Sequence, residues 1–371
     1  MIDIEEIIKC GIEKNASDVH LVCGSKPIYR INRELVEMEY AEPLTAQDMR
    51  DIYQFFIHGN EGIAQTFEEE KRLDLNYEIG DTGLRVNISL SNGVPVLTIR
   101  TIRRDLPKFR DLGLPEVIRR IALLPQGLIL VTGKSNSGKS TTLNALVNEI
   151  NQTEKKKILM LENPVEYVHK SNKSLIVQKE VGPGKDCVSF SSGSINALRE
   201  DCDILVIGEI RDKSTMDAAL EMAESGHLVI GTMHTRSCAE TIDRVLNFYD
   251  LSDQLTVKYM FSSVLKAVVT QRLIKGKQNN LVMIPEIMIV DDVVAGMIRK
   301  EKFSKSEIED AIQTRFEKGN ISFVNSLAKA VNDGFISLDQ AKKQLDDSGI
   351  ESLNRVLGTN KTERKVTFFT E

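Results

Sequence analysis

Residues 131–142 of this chain read VTGKSNSGKSTT, after an apolar run, GLIL, and before LNALVNEI, whose Leu143, Leu146, Val147 and Ile150 fall on one helical face. A buried strand, a glycine-rich turn and a helix therefore follow one another here. Gly133, Lys134, Ser135, Asn136, Ser137, Gly138, Lys139 and Ser140 fill the pattern GxxxxGK[ST] at every required position. Glycines let the backbone close round phosphate oxygens, and a helix start turns amide hydrogens and the positive end of its dipole toward them. In such a turn Lys139 reaches the β and γ phosphates, Ser140 offers its hydroxyl to magnesium, and Thr141 lies near the α phosphate. The expected ligands are thus a nucleoside triphosphate and Mg2+. The turn alone does not separate kinase, switch, transporter and motor.

Three further apolar runs, KKILMLEN, DILVIGE and HLVIGTMH, each precede a helix-patterned segment. That alternation predicts an α/β fold with buried parallel strands. With 371 residues there is room for more than one core. Residues 1–104 mix a helical start with short alternating segments such as LRVNISL and PVLTIRTI, which predicts a small α+β domain. A charged stretch punctuated by proline and glycine makes 105–113 a linker. The phosphate-binding core is expected over 114–290, a helical part over 291–357, and a flexible tail over 358–371.

Basic and acidic residues number 48 and 54, for a formal charge of −6. No global field then favours a polyanion, and with no interleaving of aromatic and basic residues, nucleic acid is not an expected partner. No stretch approaches the roughly 20 apolar residues of a membrane span. MIDIEEIIKC has neither a basic start nor a cleavage site, so a soluble cytoplasmic chain is expected. Cys10, Cys23, Cys187, Cys202 and Cys238 are few, odd in number and far apart, with no CxxC pair. Reduced thiols and no structural zinc are expected.

Open α/β sheets bind ligands beyond the carboxyl ends of their strands. Glu209 follows ILVI there and can hold magnesium through water. Glu162 and Glu166 follow the KILML run, and either can polarise an attacking water. His234 follows the HLVIGTM run at the same predicted edge. A guanine-reading switch is disfavoured: NKSL at 172–175 puts Leu175 where an NKxD aspartate would pair with the guanine donors.

These motifs, in this order along nearly the whole chain, resemble the secretion ATPases of type II secretion and type IV pili, most closely the PilT-like pilus retraction motors. ASDVHL (16–21) is similar to the family's ASDLHL, and LRVNISLSNG with IRTI to its arginine-bearing segment. GLILVTG with GKSTT matches the Walker A, and ENPVEYVH resembles EDPIEYVH of the Asp box. ALREDCDILVIGEIRD resembles the Walker B stretch and SGHLVIGTMHTRSCAETIDRV the His box. The resemblance implies a RecA-like P-loop domain, a PAS-like α+β amino-terminal domain and carboxyl-terminal helices. It implies ATP hydrolysis with Glu166 as the base orienting water, Glu209 as the Walker B acid and Glu162 as a supporting carboxylate. His227 and His234 match the two His-box histidines, both at the nucleotide, with His234 sensing the γ phosphate.

Arg85 and Arg100 match positions that reach a neighbouring subunit's nucleotide, where a guanidinium beside the γ phosphate stabilises transition-state charge. Arg211 and Arg244 match further recurring positions. A homo-hexameric ring is implied, acting on an inner-membrane platform protein at the pilus base to withdraw pilin. Extension-type and type II secretion motors resemble a longer chain with an added amino-terminal region and a four-cysteine zinc insertion, and this sequence carries neither. A scaffold that binds ATP but barely hydrolyses it is the remaining alternative. It is motivated by Asn136, where GPTGSGKS has glycine, and by Asn163, where EDP has aspartate. Ala295 likewise stands at the first arginine of AIRNLIR.

Overall fold

A computed structural model describes residues 3–359 apart from 33, 81, 103–105, 107, 183–184 and 279. The chain divides into two compact units, Met1–Asp105 and Leu106–Glu371. In the first, α1 (Ile4–Glu13) precedes β1 (Asp18–Leu21), β2 (Ile28–Ile31) and β3 (Glu34–Glu37). Helices α2 (Ala46–Ile57) and α3 (Glu61–Glu70) then lead to β4 (Arg72–Ile79), β5 (Thr82–Ser91) and β6 (Val94–Ile102). The sheet order is β3-β2-β1-β6-β5-β4, all antiparallel. Alternation along each strand sets its two faces. Val19, Leu21, Leu84, Val86, Ile88, Leu97 and Ile99 share a core with Ile7 and Ile8 of α1 and with Met49, Ile52 and Phe56 of α2. The intervening positions, among them Asp18, Arg85 and Arg100, lie on the opposite, polar face.

The second unit begins with a 3-10 turn, Phe109–Leu112, within the stretch expected as linker, of which residues 105 and 107 lie outside the described residues. It continues with α4 (Glu116–Ala122), β7 (Gly127–Thr132), α5 (Lys139–Thr153), β8 (Lys157–Glu162), β9 (Leu175–Glu180), α6 (Phe190–Ala197) and β10 (Ile204–Ile207). Next come α7 (Lys213–Glu224), β11 (Leu228–Met233), α8 (Cys238–Leu246), α9 (Gln254–Val264), β12 (Leu265–Lys275) and β13 (Leu281–Ile289). Five more helices follow: α10 (Asp292–Arg299), α11 (Lys305–Thr314), α12 (Phe323–Asn332), α13 (Leu338–Lys342) and α14 (Asp347–Thr359). The last helix thus enters the stretch expected as tail, and 360–371 lie outside the described residues.

The seven-stranded sheet runs β13-β12-β7-β11-β10-β8-β9, parallel except for the β12–β13 hairpin. β7, β10 and β11 are buried at every position, so neither face meets water. Leu128, Leu130, Leu205, Ile207 and Val229 pack under α7, α8 and α9, while Ile129, Val131, Val206, Leu228 and Ile230 pack under α4 and α5. Full burial of such side chains stabilises by about 1.5–3 kcal/mol each. Helices α12, α13 and α14 close a smaller cluster against Ile274 and Ile284 of the hairpin. Among the described residues no helix is long and apolar enough to cross a membrane.

Candidate nucleotide site

Register decides what meets at the carboxyl end of this sheet. Thr132 of β7 lies opposite Met233 of β11 and Thr270 of β12, and Ile207 of β10 lies opposite Gly231 and Leu161. The 133–138 turn, Glu162, Glu209 and His234 therefore emerge side by side. Gly133 has φ +150, and a Cβ there would stand 2.5 Å from the Gln271 carbonyl and closer still to Ser137 Oγ. Only glycine fits this close approach. Asn136 has φ +60 and Gly138, which caps α5, φ +86. Asparagine is among the few side chains that adopt the left-handed region readily, so the departure from glycine at 136 leaves the turn intact. From β12, Gln271 Nε2 donates to the Ser137 carbonyl at 2.8 Å and braces the turn from below.

Lys139, 9 % exposed, donates through Nζ to the carbonyls of Gly133 at 3.0 Å and Lys134 at 3.1 Å. Its third donor meets His234 Nδ1 at 3.4 Å. An ammonium only donates, so Nδ1 accepts and the imidazole proton sits on Nε2, which lies 3.0 Å from Glu209 Oε1. Glu209, His234 and Lys139 thus form one chain, with Arg211 Nε paired to the same Glu209 oxygen. Burial lowers the Lys139 pKa, and the carboxylates of Glu209 and Glu166 partly offset this. Burial, and then the neighbouring ammonium, hold His234 below the ordinary imidazole range.

Glu162 ends β8 at 5 % exposure. Burial pushes its carboxyl up to about 7, although Gln178 Nε2 donates to Oε1 at 2.8 Å and the Glu166 amide also donates to it. Glu166 is half-buried four residues further on, in the loop between β8 and β9. Thr141 Oγ1 lies 3.5 Å from the Tyr167 hydroxyl, linking the first turn of α5 to that loop. Asn163 is exposed at the start of the loop.

This donor set fits a triphosphate with magnesium. The turn is shaped for close approach, the helix start is positive, Lys139 is within reach, and Ser140, Glu162 and Glu209 supply the oxygens a hard cation prefers. His227 is not brought to this edge. It precedes β11, its Nδ1 lies 2.9 Å from Ser225 Oγ and 3.1 Å from the Met222 carbonyl, and the length of the strand, about 20 Å, separates it from the turn. The expectation that His227 contacts the nucleotide bound in its own turn is corrected accordingly. Arg85 and Arg100 belong to the first unit, directly opposite each other on β5 and β6. Two like charges so placed repel. Arg100 Nε donates to Asp18 Oδ1 at 3.0 Å, and Arg85 Nε lies 3.8 Å from Asp74. Arg244 stacks on Phe248, 5.3 Å from the ring centre.

Comparison with known proteins matches residues 1–290 to the family described as "Type II/IV secretion system protein". The chain belongs to this family. It is 36% identical over 343 residues to the type IV pilus retractation ATPase PilT of Pseudomonas aeruginosa, covering 92% of this chain and 98% of that one. It is 33% identical over 324 residues to the twitching motility protein of Neisseria gonorrhoeae, covering 87% and 85%. The crystal structure of the pilus retraction motor PilT with bound ADP superposes with a TM-score of 0.82 at 31% identity, covering 96% of this chain and all of that one. The α/β fold expected from the motifs, a RecA-like core with an amino-terminal α+β unit, is therefore the fold of this family member.

Three residues at the edge of this site escape a motif-based reading. Asn144 sits inside α5, His169 closes the Asp box, and Gln178 lies on β9, yet they form one hydrogen-bonded group. The signal in the sequence was slight: His169 was part of ENPVEYVH, but only the acids of that segment carried an evident chemical role.

Proposed function

We propose that this chain is a ring-forming, ATP-driven motor that withdraws the subunits of a type IV pilus. It is an ATP hydrolase. The observation that carries this reading is the Glu209–His234–Lys139 chain reaching the glycine turn, with Glu162 at the end of β8 and Glu166 in the loop that follows. Lys139 donates to its own turn's carbonyls, and a triphosphate would offer it charged acceptors, which form bonds about twice as strong. His234, bridging Lys139 and Glu209, is the residue through which the charge of a γ phosphate would be sensed. Glu166 orients the attacking water and takes its proton. Ser140 and Glu209 are the residues that would hold a magnesium ion, whose charge would offset that developing on the phosphate oxygens.

Hydrolysis at interfaces in a homo-hexamer is the expected arrangement. Arg85 and Arg100, opposite each other on the polar face of a sheet, are the residues we assign to a neighbour's γ phosphate, for which they would exchange their present partners Asp74 and Asp18. Loss of that phosphate then releases one contact between protomers and drives a rotation. The names of the Pseudomonas and Neisseria relatives support retraction as the direction of work. An inner-membrane platform protein is the partner through which the ring acts, from the cytoplasmic face at the pilus base. Deleting the gene tests this: hyperpiliated cells without twitching are expected, whereas bald cells would assign the chain to pilus extension.

A further inference from the structure

We propose that Asn144, His169 and Gln178 are positioning residues that fix the Glu166 loop relative to the phosphate-binding start of α5. The proposal rests on Glu166 orienting the attacking water, as argued above. Asn144 and Asn151 lie two turns apart on one face of α5, both fully buried. Asn144 Nδ2 donates to the Ser140 carbonyl at 2.9 Å, which leaves its Oδ1 facing His169 Nε2 at 2.6 Å. A carboxamide oxygen only accepts, so His169 carries its proton on Nε2. Nδ1 is then bare, and among the described residues this buried atom has no partner. The ring is neutral, since burial takes its pKa down to about 4.

The His169 amide donates to Gln178 Oε1 at 2.8 Å. That bond orients the Gln178 carboxamide, whose Nε2 donates to the Tyr167 carbonyl and to Glu162 Oε1, each at 2.8 Å. Residues on the carboxyl side of Glu166 are thus held from α5 through Asn144 and from β9 through Gln178. Asn151 extends the seam: its Nδ2 donates to the Lys170 carbonyl at 2.9 Å, and its Oδ1 accepts from the Asn172 amide at 2.9 Å. The helix that grips phosphate and the loop that orients water are one hydrogen-bonded body.

Positional errors of about 1 Å in a reacting group cost roughly a hundredfold in rate. A group that only stabilises the fold would instead weaken nucleotide binding and turnover together. Purified His169→Phe, which removes the donor at similar size, is expected to lower kcat about 10–100-fold with the affinity for mant-ADP unchanged. His169→Gln, whose amide hydrogen takes the place of Nε2–H, recovers most of the rate. Asn144→Ala breaks the same bond from the helix side and gives the same split, which guards against a folding defect in the phenylalanine variant.

In a Glu166→Gln background, His169→Phe costs nothing more, because it acts through the missing carboxylate. An unchanged kcat, a parallel loss of affinity and rate, or multiplicative losses in the double variant overturns the proposal. A wild-type rate in Glu166→Gln alone defeats the underlying role of Glu166 instead.

Discussion

Replacing Glu162 by glutamine isolates the cost of keeping a carboxyl at the buried end of β8. Burial raises its pKa from the ordinary 4.5 to about 7, the hydrogen bonds from Gln178 and the Glu166 amide only partly opposing it. The folded protein therefore holds this proton more tightly than the unfolded chain does. Stability is undiminished below pH 4.5, falls as pH rises between 4.5 and 7, and is flat above. At about 1.4 kcal/mol per pH unit the loss comes to about 3 kcal/mol. Glutamine is neutral throughout and still accepts from Gln178, so Glu162→Gln should match wild type near pH 4.5 and exceed it by about 3 kcal/mol at pH 8. For a unit of this size that raises Tm by about 6–12 °C. Urea denaturation and thermal scans at several pH values, without nucleotide or magnesium, measure it. A stability difference that does not change between pH 4.5 and 8 would refute the reasoning. With Mg·ATP the order reverses in function, because the stabler variant lacks the charge that supports the cation, and hydrolysis falls.

Gly133→Ala should abolish mant-ADP binding, because the new Cβ presses on the Gln271 carbonyl and Ser137 Oγ at φ +150; normal binding by fluorescence titration contradicts this. Ile230→Ala, at a fully buried position under α4 and α5, should cost about 2–5 kcal/mol in urea denaturation while leaving the nucleotide affinity of the folded protein unchanged. A loss below 1 kcal/mol would show that the sheet's centre closes over the cavity.

The sequence announced the site's centre because phosphate chemistry demands rigid spacing. GxxxxGK[ST] places Gly133, Lys139 and Ser140 without reference to the rest of the fold, and β7, β8, β10 and β11 were plain as continuous apolar runs. β9 was not, since LIVQKE at a sheet edge is half-exposed and carries no clear period. Its Gln178 was accordingly invisible as a bridge to Glu162 and the Glu166 loop. β12 was hidden for another reason: it follows α9 without a break, and SSVLKAVVTQRL reads equally well as helix or strand. His227 was misjudged because a motif spans a strand from end to end, and adjacency in a motif does not say which end meets the ligand. The Asn144–His169 bond joins residues 25 apart in sequence, and no local pattern reports a contact of that range.

Phosphate release by the purified protein, with and without magnesium, tests the central claim most directly when wild type is set beside Lys139→Ala and Glu166→Gln. The account expects full magnesium-dependent turnover in wild type alone, with Glu166→Gln retaining labelled ATP and only a slow residual rate, and Lys139→Ala losing the nucleotide. Equal background rates in all three proteins, with no ATP retained by wild type, would contradict it.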